Sequence, residues 1–405
     1  MNVSDKLETS IALADGGRGP AAAYTVTLNT GGGNSLAPVT IKYDSGYALP
    51  VPVRTGYTFE GWYGAVGGGG VRYAEANGAS VTDWKYVSDK TLYASWLGTA
   101  GLSYADSVAG VTVSKGTANT DGAVYIQDYY NGKPVTAIGE KAFYACGRLT
   151  GVKIPRTVTH IGGSAFLGCG ALAAAALPSG VRSIGYYPFA YCRELAGIEV
   201  SPQNAYYKSI DGVLFNKDGT TLISYPLGRR AEIYTITDKV RSIDGYAFLG
   251  GNRLTAVDVA AGNQYYKSAD GVVFGKDGTT LVVYPAKKSG ETYAIPDGVK
   301  SIGSSAFSWC KGLTGVTIPS GVTAIGGYAF YSSGLKGINI PSGVTAIGDY
   351  AFRDCTELRS ATIPSSVTVM GKEAFGRCGK LSRVFFLGTQ AQWETLIKAN
   401  NAFML

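Results

Sequence analysis

The sequence is poor in charge and in long apolar runs, and each shortage excludes a class of function. Only 16% of the residues are charged and the formal net charge is +7, which is far from the clustered basicity of nucleic-acid-binding proteins. The longest uninterrupted apolar stretch, Ala171 to Leu177, is too short to cross a bilayer. We therefore expect neither a nucleic-acid partner nor a membrane span.

The sequence also lacks the side-chain patterns of catalysis. Its one histidine, His160, has no identifiable carboxylate that could orient it in a Ser or Cys triad. The phosphate-binding pattern G-x-x-x-x-G-K-[ST], the zinc pattern H-E-x-x-H and clustered carboxylates do not occur either. We expect no catalytic residue, no cofactor and no metal site, and a protein that is not an enzyme.

What the sequence does contain is a repeat. The skeleton V-x-x-I-G-x-x-A-F-x-x-C-x-x-L-x-x-V-x-I-P occurs eight times between Val135 and Phe386, mostly at intervals of 23 residues. Such a period with L-x-x-V-x-I spacing is typical of leucine-rich repeats, whose coils bury their apolar faces only by stacking. We predict a mainly β protein, a right-handed solenoid with a parallel strand ladder. The anchor phenylalanines are Phe143, Phe166, Phe189, Phe248, Phe307, Phe330, Phe352 and Phe375.

Two segments of 36 residues, 204–239 and 263–298, interrupt the regular spacing and match each other at 21 positions. Tyr234 and Ile236 precede Val240 at the spacing of strand residues in an ordinary coil. Each segment is therefore interpreted as a long coil in which a hairpin replaces the A-F turn, the Ala-Phe turn that carries the anchor phenylalanine of a regular coil. The solenoid then has about ten coils. The Lys-Asp-Gly turns of these hairpins lack the alternating oxygen ligands of a calcium loop.

All six cysteines lie three residues after an anchor phenylalanine, in a slot that Gly251 and Ser333 fill in the other regular coils. A slot that accepts Cys, Gly or Ser requires a small residue rather than a thiol. Parallel side chains on stacked coils would also angle two sulfurs poorly for a bond. We therefore expect free, buried thiols.

The remaining sequence divides into shorter segments. Alternating aromatic strands predict a small β module whose aromatics form its core. The start of the chain, Met1 to Ala23, shows no basic segment followed by an apolar run, so no leader is visible. The predicted organisation is a flexible lead-in (1–23), the β module (24–98), a capping hairpin (99–134), the solenoid (135–386) and a C-terminal cap helix (387–405).

Two families resemble these segments. Arg54 to Tyr63, with the motif R-x-G-Y-T-F-x-G-W-Y, and Thr91 to Trp96 match both ends of the Listeria–Bacteroides repeat, also called the internalin B-repeat. This first resemblance implies a compact, grasp-like β module that serves as a spacer or adhesive unit on bacterial surface proteins. The motifs V-T-A-I-G-x-x-A-F-x-x-C, I-P-S-G-V and G-T-Q-A-Q-W resemble the BspA-like leucine-rich-repeat family. This second resemblance implies a secreted or surface-displayed bacterial protein that binds host matrix proteins, other bacteria or epithelial cells.

Candidate binding residues fall into two groups. On the strand face, the side chain between the two core positions of each strand points outward, as in Lys153, Glu199, Asp258, Thr317, Asn339 and Thr362. The second group is aromatic and flanks the anchors: Tyr187, Tyr246, Trp309, Tyr328 and Tyr350. Aromatics of this kind serve protein interfaces or stack on sugars, and tyrosines also pack edge to edge between coils.

Three functions remain open on the sequence. The first is adhesive binding of a host matrix or cell-surface protein. The second is glycan binding on a cell envelope, and the third is a passive structural spacer. We expect reversal of charge at Lys153, Glu199 and Asp258 to weaken a protein partner. Loss of Trp309 and Tyr328 should weaken a glycan instead.

Overall fold

The computed structural model describes residues 23–250, 253–398 and 402–403, so the first 22 residues of the predicted lead-in lie outside it. The chain divides into two compact units. The first consists of the residues up to Gly139 together with Val152–His160, and the second consists of Glu140–Gly151 and the residues from Ile161 onward.

The first unit begins with a five-stranded sheet, in which aromatic side chains form the core. Trp62 and Trp84 are fully buried there, and Tyr24 is 1% exposed. The sheet order is β2-β1-β5-β3-β4, and β1 and β5 run parallel while the other neighbours run antiparallel. A 3-10 turn at Val66–Gly68 connects the antiparallel strands β3 and β4. The strands are Ala23–Asn29 (β1), Val39–Lys42 (β2), Thr58–Ala65 (β3), Gly69–Glu75 (β4) and Lys90–Leu97 (β5).

A second group of strands in the first unit follows the module directly. β6 and β7 form an antiparallel hairpin, and β7 continues in parallel to β10, which corresponds to the first Val-x-x-Ile of the repeats. Val111, Val113 and Val135 are fully buried between these strands. The strands are Ser103–Ser107 (β6), Gly110–Ser114 (β7), Gly122–Tyr125 (β8), Tyr129–Tyr130 (β9) and Lys133–Ile138 (β10).

The arginine and glycine of the R-x-G-Y-T-F motif join these two groups of strands. Arg54 donates to Asp128 at 2.7 Å, and its guanidinium lies 3.8 Å from the centre of the Tyr57 ring. Gly56 has φ of +81°, and a Cβ there would lie 2.1 Å from the Tyr125 ring. Only glycine allows this approach, which explains its place in the motif.

The repeats form a solenoid of stacked parallel strands with two strand-bearing sides. On the strand face, the pairs are β13–β15, β19–β21, β25–β27 and the triplet β29–β31–β33. The Val-x-x-Ile segments build the second face, where β24, β26, β28, β30 and β32 are parallel neighbours. Ile302, Ile325 and Ile347 point inward from this face and are nearly or fully buried.

The strands from Leu149 onward are short, as expected for coils that turn every few residues. They are Leu149–Lys153 (β11), His160–Ile161 (β12), Ala174–Leu177 (β13), Ser183–Ile184 (β14), Gly197–Val200 (β15), Tyr207–Ile210 (β16), Val213–Asn216 (β17), Thr221–Ser224 (β18), Ile233–Ile236 (β19), Ser242–Ile243 (β20), Ala256–Val259 (β21), Tyr266–Ala269 (β22), Val272–Gly275 (β23), Thr280–Val283 (β24), Thr292–Ala294 (β25), Ser301–Ile302 (β26), Gly315–Thr317 (β27), Ala324–Ile325 (β28), Gly337–Asn339 (β29), Ala346–Ile347 (β30), Ser360–Pro364 (β31), Val369–Met370 (β32) and Arg383–Leu387 (β33).

Each long coil contains an antiparallel meander of three strands, β16-β17-β18 in one and β22-β23-β24 in the other. Its last strand joins the second face in parallel, since Leu222 pairs with Ile243 and Leu281 with Ile302. On the strand face, the carbonyl of Gly212 accepts from the Ile198 N–H at 2.8 Å. The turn between β16 and β17 therefore lies beside β15, where the next strand of the ladder would otherwise pair. The strand ladder of this face is interrupted at that point.

Tyrosine takes the place of the anchor phenylalanine in the long coils. The Tyr225 ring stacks on Phe248 with centroids 5.1 Å apart, and Tyr284 stacks on Phe307 at 4.9 Å. The sequence interpretation had a hairpin replacing the A-F turn, whereas the structure keeps an anchor ring after the meander. The Y-P pair that both long coils share marks this position.

The cysteine slot uses the thiol as a hydrogen-bond donor. The Sγ of Cys355 lies 3.0 Å from the carbonyl oxygen of Phe330, one coil earlier, and Cys169, Cys192 and Cys378 repeat this contact at 3.1 to 3.2 Å. All six cysteines are free and buried. In these four coils the small residue of the slot therefore also donates a hydrogen bond to the preceding coil.

We expect these thiols to resist alkylation in the folded protein. Burial raises the pKa of Cys355 to about 11 and that of Cys169 and Cys378 to about 12, above the ordinary 9.0. At about pH 8, iodoacetamide should therefore leave the native thiols unmodified and should modify all six in concentrated urea, as read by mass spectrometry.

The same shifts set a pH dependence of stability. Because the folded pKa is raised, the thiols contribute their stabilisation fully below about 9 and lose it as the pH rises through about 11 to 12. Rapid labelling of native protein at about pH 8 would contradict the burial on which both expectations depend.

A helix, Gln390–Lys398 (α1), follows the last strand of the solenoid. The Trp393 ring packs against Phe386 at 5.3 Å and against Phe403 at 5.4 Å. Phe403 stacks on Phe375 at 5.0 Å, and the Phe375 N–H donates to the carbonyl of Ala402. Ala402-Phe403 therefore repeats the A-F turn, a feature that the sequence analysis missed.

Candidate functional site

The outward row of the strand face is accessible to solvent. Glu199, Thr317 and Asn339 are exposed, and Asp258 and Thr362 are half-buried. The register aligns the row from coil to coil, because Asn339 lies beside Thr362. Lys153, which belongs to the first unit, is exposed as well. These positions can therefore contact a partner without any rearrangement of the core.

Small residues on the same strands keep this surface shallow. Gly197, Gly315 and Gly337 begin three of the strands, and Gly315 lies beside Thr292 in the neighbouring coil. The side chains that project from the row are short and weakly charged over most of its length. The row is a flat platform rather than a pocket.

The predicted aromatic residues lie at the A-F turns, where the backbone is unusual. Tyr187, Tyr328 and Tyr350 have φ between +56° and +58°, and Trp309 has φ of +61°. This left-handed region is uncommon for bulky residues. This backbone conformation allows alternate N–H groups of the turn to donate hydrogen bonds to the next coil. The Tyr328 N–H, for example, donates to the carbonyl of Asp349 at 2.9 Å.

The structure brings these aromatics together across distant coils. The rings of Tyr187 and Tyr246 lie 4.3 Å apart, and Tyr187 and Tyr328 lie 6.0 Å apart although 141 positions separate them. Tyr191 contacts both Trp309 and Tyr331. We name this group the tyrosine cluster: Tyr187, Tyr191, Tyr246, Trp309, Tyr328, Tyr331 and Tyr350.

The long coils explain why these turns meet. Leu222 and Tyr225 are three residues apart, whereas Ile184 and Phe189, at equivalent positions of a regular coil, are five apart. A long coil therefore lacks part of the protruding turn, and the turns on either side close over it. Tyr191 and Tyr331 were missed in the sequence because they become neighbours only through this closure.

The cluster is half-buried and carries cations at its rim. Burial raises the pKa of Tyr328 and Tyr331 above the ordinary 10.0, so both phenols stay neutral at physiological pH. The Arg193 guanidinium lies 4.3 Å from the Trp309 ring centre, and the Lys311 ammonium lies 5.1 Å from it. The rings thus contact each other and these cations rather than standing free in a row.

The side chains that could ligate a metal ion are dispersed over the part of the chain that the structure describes. Among residues 23–250, 253–398 and 402–403, no three His, Cys, Asp or Glu side chains are grouped to hold a metal ion. His160 is exposed on β12. In the part of the chain that the structure describes, no helix combines the length and apolarity needed to span a membrane.

Comparisons with known proteins identify both parts of the chain. The model of the BspA type leucine rich repeat region matches residues 126–227 and 285–401 in six copies. The model of the Listeria-Bacteroides repeat domain matches residues 24–95. No curated protein matches the sequence.

Several solved structures are similar over most of the chain. A leucine rich cell surface protein from Faecalibacterium prausnitzii A2-165 shares 25% identity, covering 74% of this chain and 97% of that chain, with a TM-score of 0.37. A leucine-rich repeat protein from Eubacterium ventriosum ATCC 27560 shares 24% identity over 71% and 83% of the two chains, with a TM-score of 0.39. The pneumococcal vaccine antigen PcpA shares 22% identity over 72% and 81%, with a TM-score of 0.41.

Proposed function

Because the chain belongs to the BspA-type leucine-rich-repeat family, whose model matches more than half of its residues, we propose that it is a non-enzymatic bacterial surface or secreted protein that binds another protein through its solenoid. The partner is a host matrix or cell-surface protein, and the role is adhesion. The accessible row of the strand face is the observation that carries this proposal.

The row suits recognition because buried neighbours anchor its backbone. Asn339 lies between the buried Ile338 and Ile340, and Thr362 lies between the buried Ala361 and Ile363. A partner that binds such a platform loses little free energy to ordering of the receptor. The charges on the row, such as Glu199 and Asp258, supply specificity more than affinity.

The proposal is tested with the full chain on an immobilised panel of matrix proteins and glycans. We expect the double variant Glu199→Lys, Asp258→Lys to weaken binding to a protein partner at least about tenfold, equivalent to about 1.4 kcal/mol. Lys300→Glu is the matched control, since Lys300 is exposed beside the second face. If binding survives the reversal of charge at Glu199 and Asp258, the strand face is not the contact surface.

The half-buried tyrosine cluster supports glycan binding on a cell envelope as the second candidate, because its aromatic faces and cations could stack on sugars. In that case Trp309→Ala and Tyr328→Ala should abolish glycan capture on the same panel and leave protein capture unchanged. If none of these variants loses protein binding or glycan binding, the result would favour the passive spacer.

A further inference from the structure

Among the residues that the structure describes, the last strand of the strand face has one open edge. β33 pairs in parallel with β31 on one side, from Ser360 opposite Arg383 to Pro364 opposite Leu387. Within the described residues, no strand pairs with its other side. Alternate peptide groups of a strand point to each side, so those on the open side of β33 are available to an added strand.

The side chains of this strand divide cleanly between core and solvent. Val384 and Phe386 are half-buried, and Phe386 packs on Trp393 of helix α1. Arg383 is exposed, Phe385 is 54% exposed and Leu387 is 63% exposed. The outward face of an edge strand therefore presents a cation followed by two large apolar side chains at alternate positions.

The two preceding coils extend the positive charge behind Arg383, on the paired side of β33. Lys336, Arg359 and Arg383 are exposed, and backbone hydrogen bonds link them from coil to coil, from the Arg359 N–H to the Lys336 carbonyl and from the Arg383 N–H to the Arg359 carbonyl. The nearby Glu357 carboxylate is engaged by Lys380, whose Nζ donates to both of its oxygens at 2.8 and 2.9 Å. The hydrogen bonds from Lys380, with Arg359 and Lys336 beyond, hold the pKa of Glu357 below its usual value.

We propose that the open edge of β33 docks an extended acidic segment of the partner protein, which adds to the sheet as a further strand. The segment carries an acidic residue opposite Arg383 and apolar residues opposite Phe385 and Leu387. This inference rests on the proposed function, because it names the partner chemistry and the place of docking.

Charge selects this occupant over a second copy of the same chain. Two β33 strands paired edge to edge would bring the Arg383 of each copy to the shared seam, with Arg359 and Lys336 of the same copy in the coils behind it, and like charges across paired strands are destabilising. An acidic segment is instead attracted by the same positive charges. Its association should weaken as the ionic strength rises.

The probe is a fluorescent synthetic peptide, Glu-Thr-Val-Thr-Val-Thr-Glu, whose symmetric pattern allows either strand direction. We expect saturable binding to the full chain, measured by fluorescence anisotropy. A peptide with Lys in place of both Glu residues should bind at least about tenfold more weakly. A peptide N-methylated at alternate positions keeps every side chain but cannot pair as a strand, so it should lose binding.

Protein variants locate the site. Arg383→Glu and Phe385→Ala should each raise the peptide Kd at least about tenfold, while Lys300→Glu should leave it within about twofold. Circular dichroism confirms that each variant keeps its fold. Absence of saturation at about 1 mM peptide, or equal binding of the N-methylated peptide, would overturn the proposal. The proposal would also be overturned if light scattering detected a dimer and the Arg383→Glu variant dimerised more tightly.

The two proposals fail separately. If a matrix or cell-surface protein binds the chain and Arg383→Glu has no effect, the proposed function stands and the β33 edge is not the docking place. If the peptide binds as expected but the panel yields no protein partner, the edge site stands and the adhesive role does not.

Discussion

Replacing Phe330 with alanine is expected to lower the free energy of unfolding by about 3 to 5 kcal/mol. The ring is fully buried and lies between Phe307 at 4.9 Å and Phe352 at 5.0 Å, within 7° of parallel to both. Loss of the ring removes stacking contacts with both neighbouring coils and leaves a cavity between them. Because each coil contacts mainly its neighbours, the damage should be greatest in these coils.

Urea unfolding followed by circular dichroism measures the size of this effect, and hydrogen exchange with mass spectrometry locates it. Phe385→Ala is the matched control, since that ring is 54% exposed and should cost less than about 1 kcal/mol. A loss at Phe330 no larger than that at Phe385 would show that the ring stack does not hold the coils together.

Asn263→Ala is expected to destabilise the protein by about 3 to 5 kcal/mol, although it removes only one small polar group. Asn263 is fully buried, and its side chain makes four hydrogen bonds. Its Nδ2 donates to the carbonyls of Thr237 and Val240, both at 2.8 Å. Its Oδ1 accepts from the N–H groups of Tyr265 and Tyr266. Alanine removes the side-chain partner of all four backbone groups, and of these the Thr237 carbonyl keeps a second donor, the Val240 N–H at 3.3 Å.

Asn204 offers an internal repetition of this test, because it makes the same four contacts in the first long coil. Asn204→Ala should therefore cost a similar amount. Asn339→Ala is the exposed control and should change the free energy of unfolding by less than about 0.5 kcal/mol. Equal effects at Asn263 and Asn339 in the same urea titration would reject this account of the long coils.

Much of the repeat architecture follows from local pattern. The 23-residue period places Phe330 and its equivalents at one point of every coil, so burial of one implies burial of all. Strand alternation places Asn339 outward between two core residues for the same reason. These predictions need only the spacing of apolar residues.

The long coils show where local pattern is insufficient. The sequence shows that 204–239 and 263–298 are related and that each ends as a coil. It does not show that Tyr225 continues the ring stack or that the meander turn at Gly212 follows β15. Both depend on how a three-stranded meander fits between coils, which the period does not encode.

The sequence by itself determined the solenoid, the anchor rings and the outward row, because a repeated spacing forces each coil to bury the same positions against the next. Only the tertiary structure decided that Tyr187 meets Tyr328 and that, within the described residues, β33 has a positively charged edge with no strand beside it. The reason is physical: both features arise from contacts between coils or from the place where stacking stops. No single repeat contains that information.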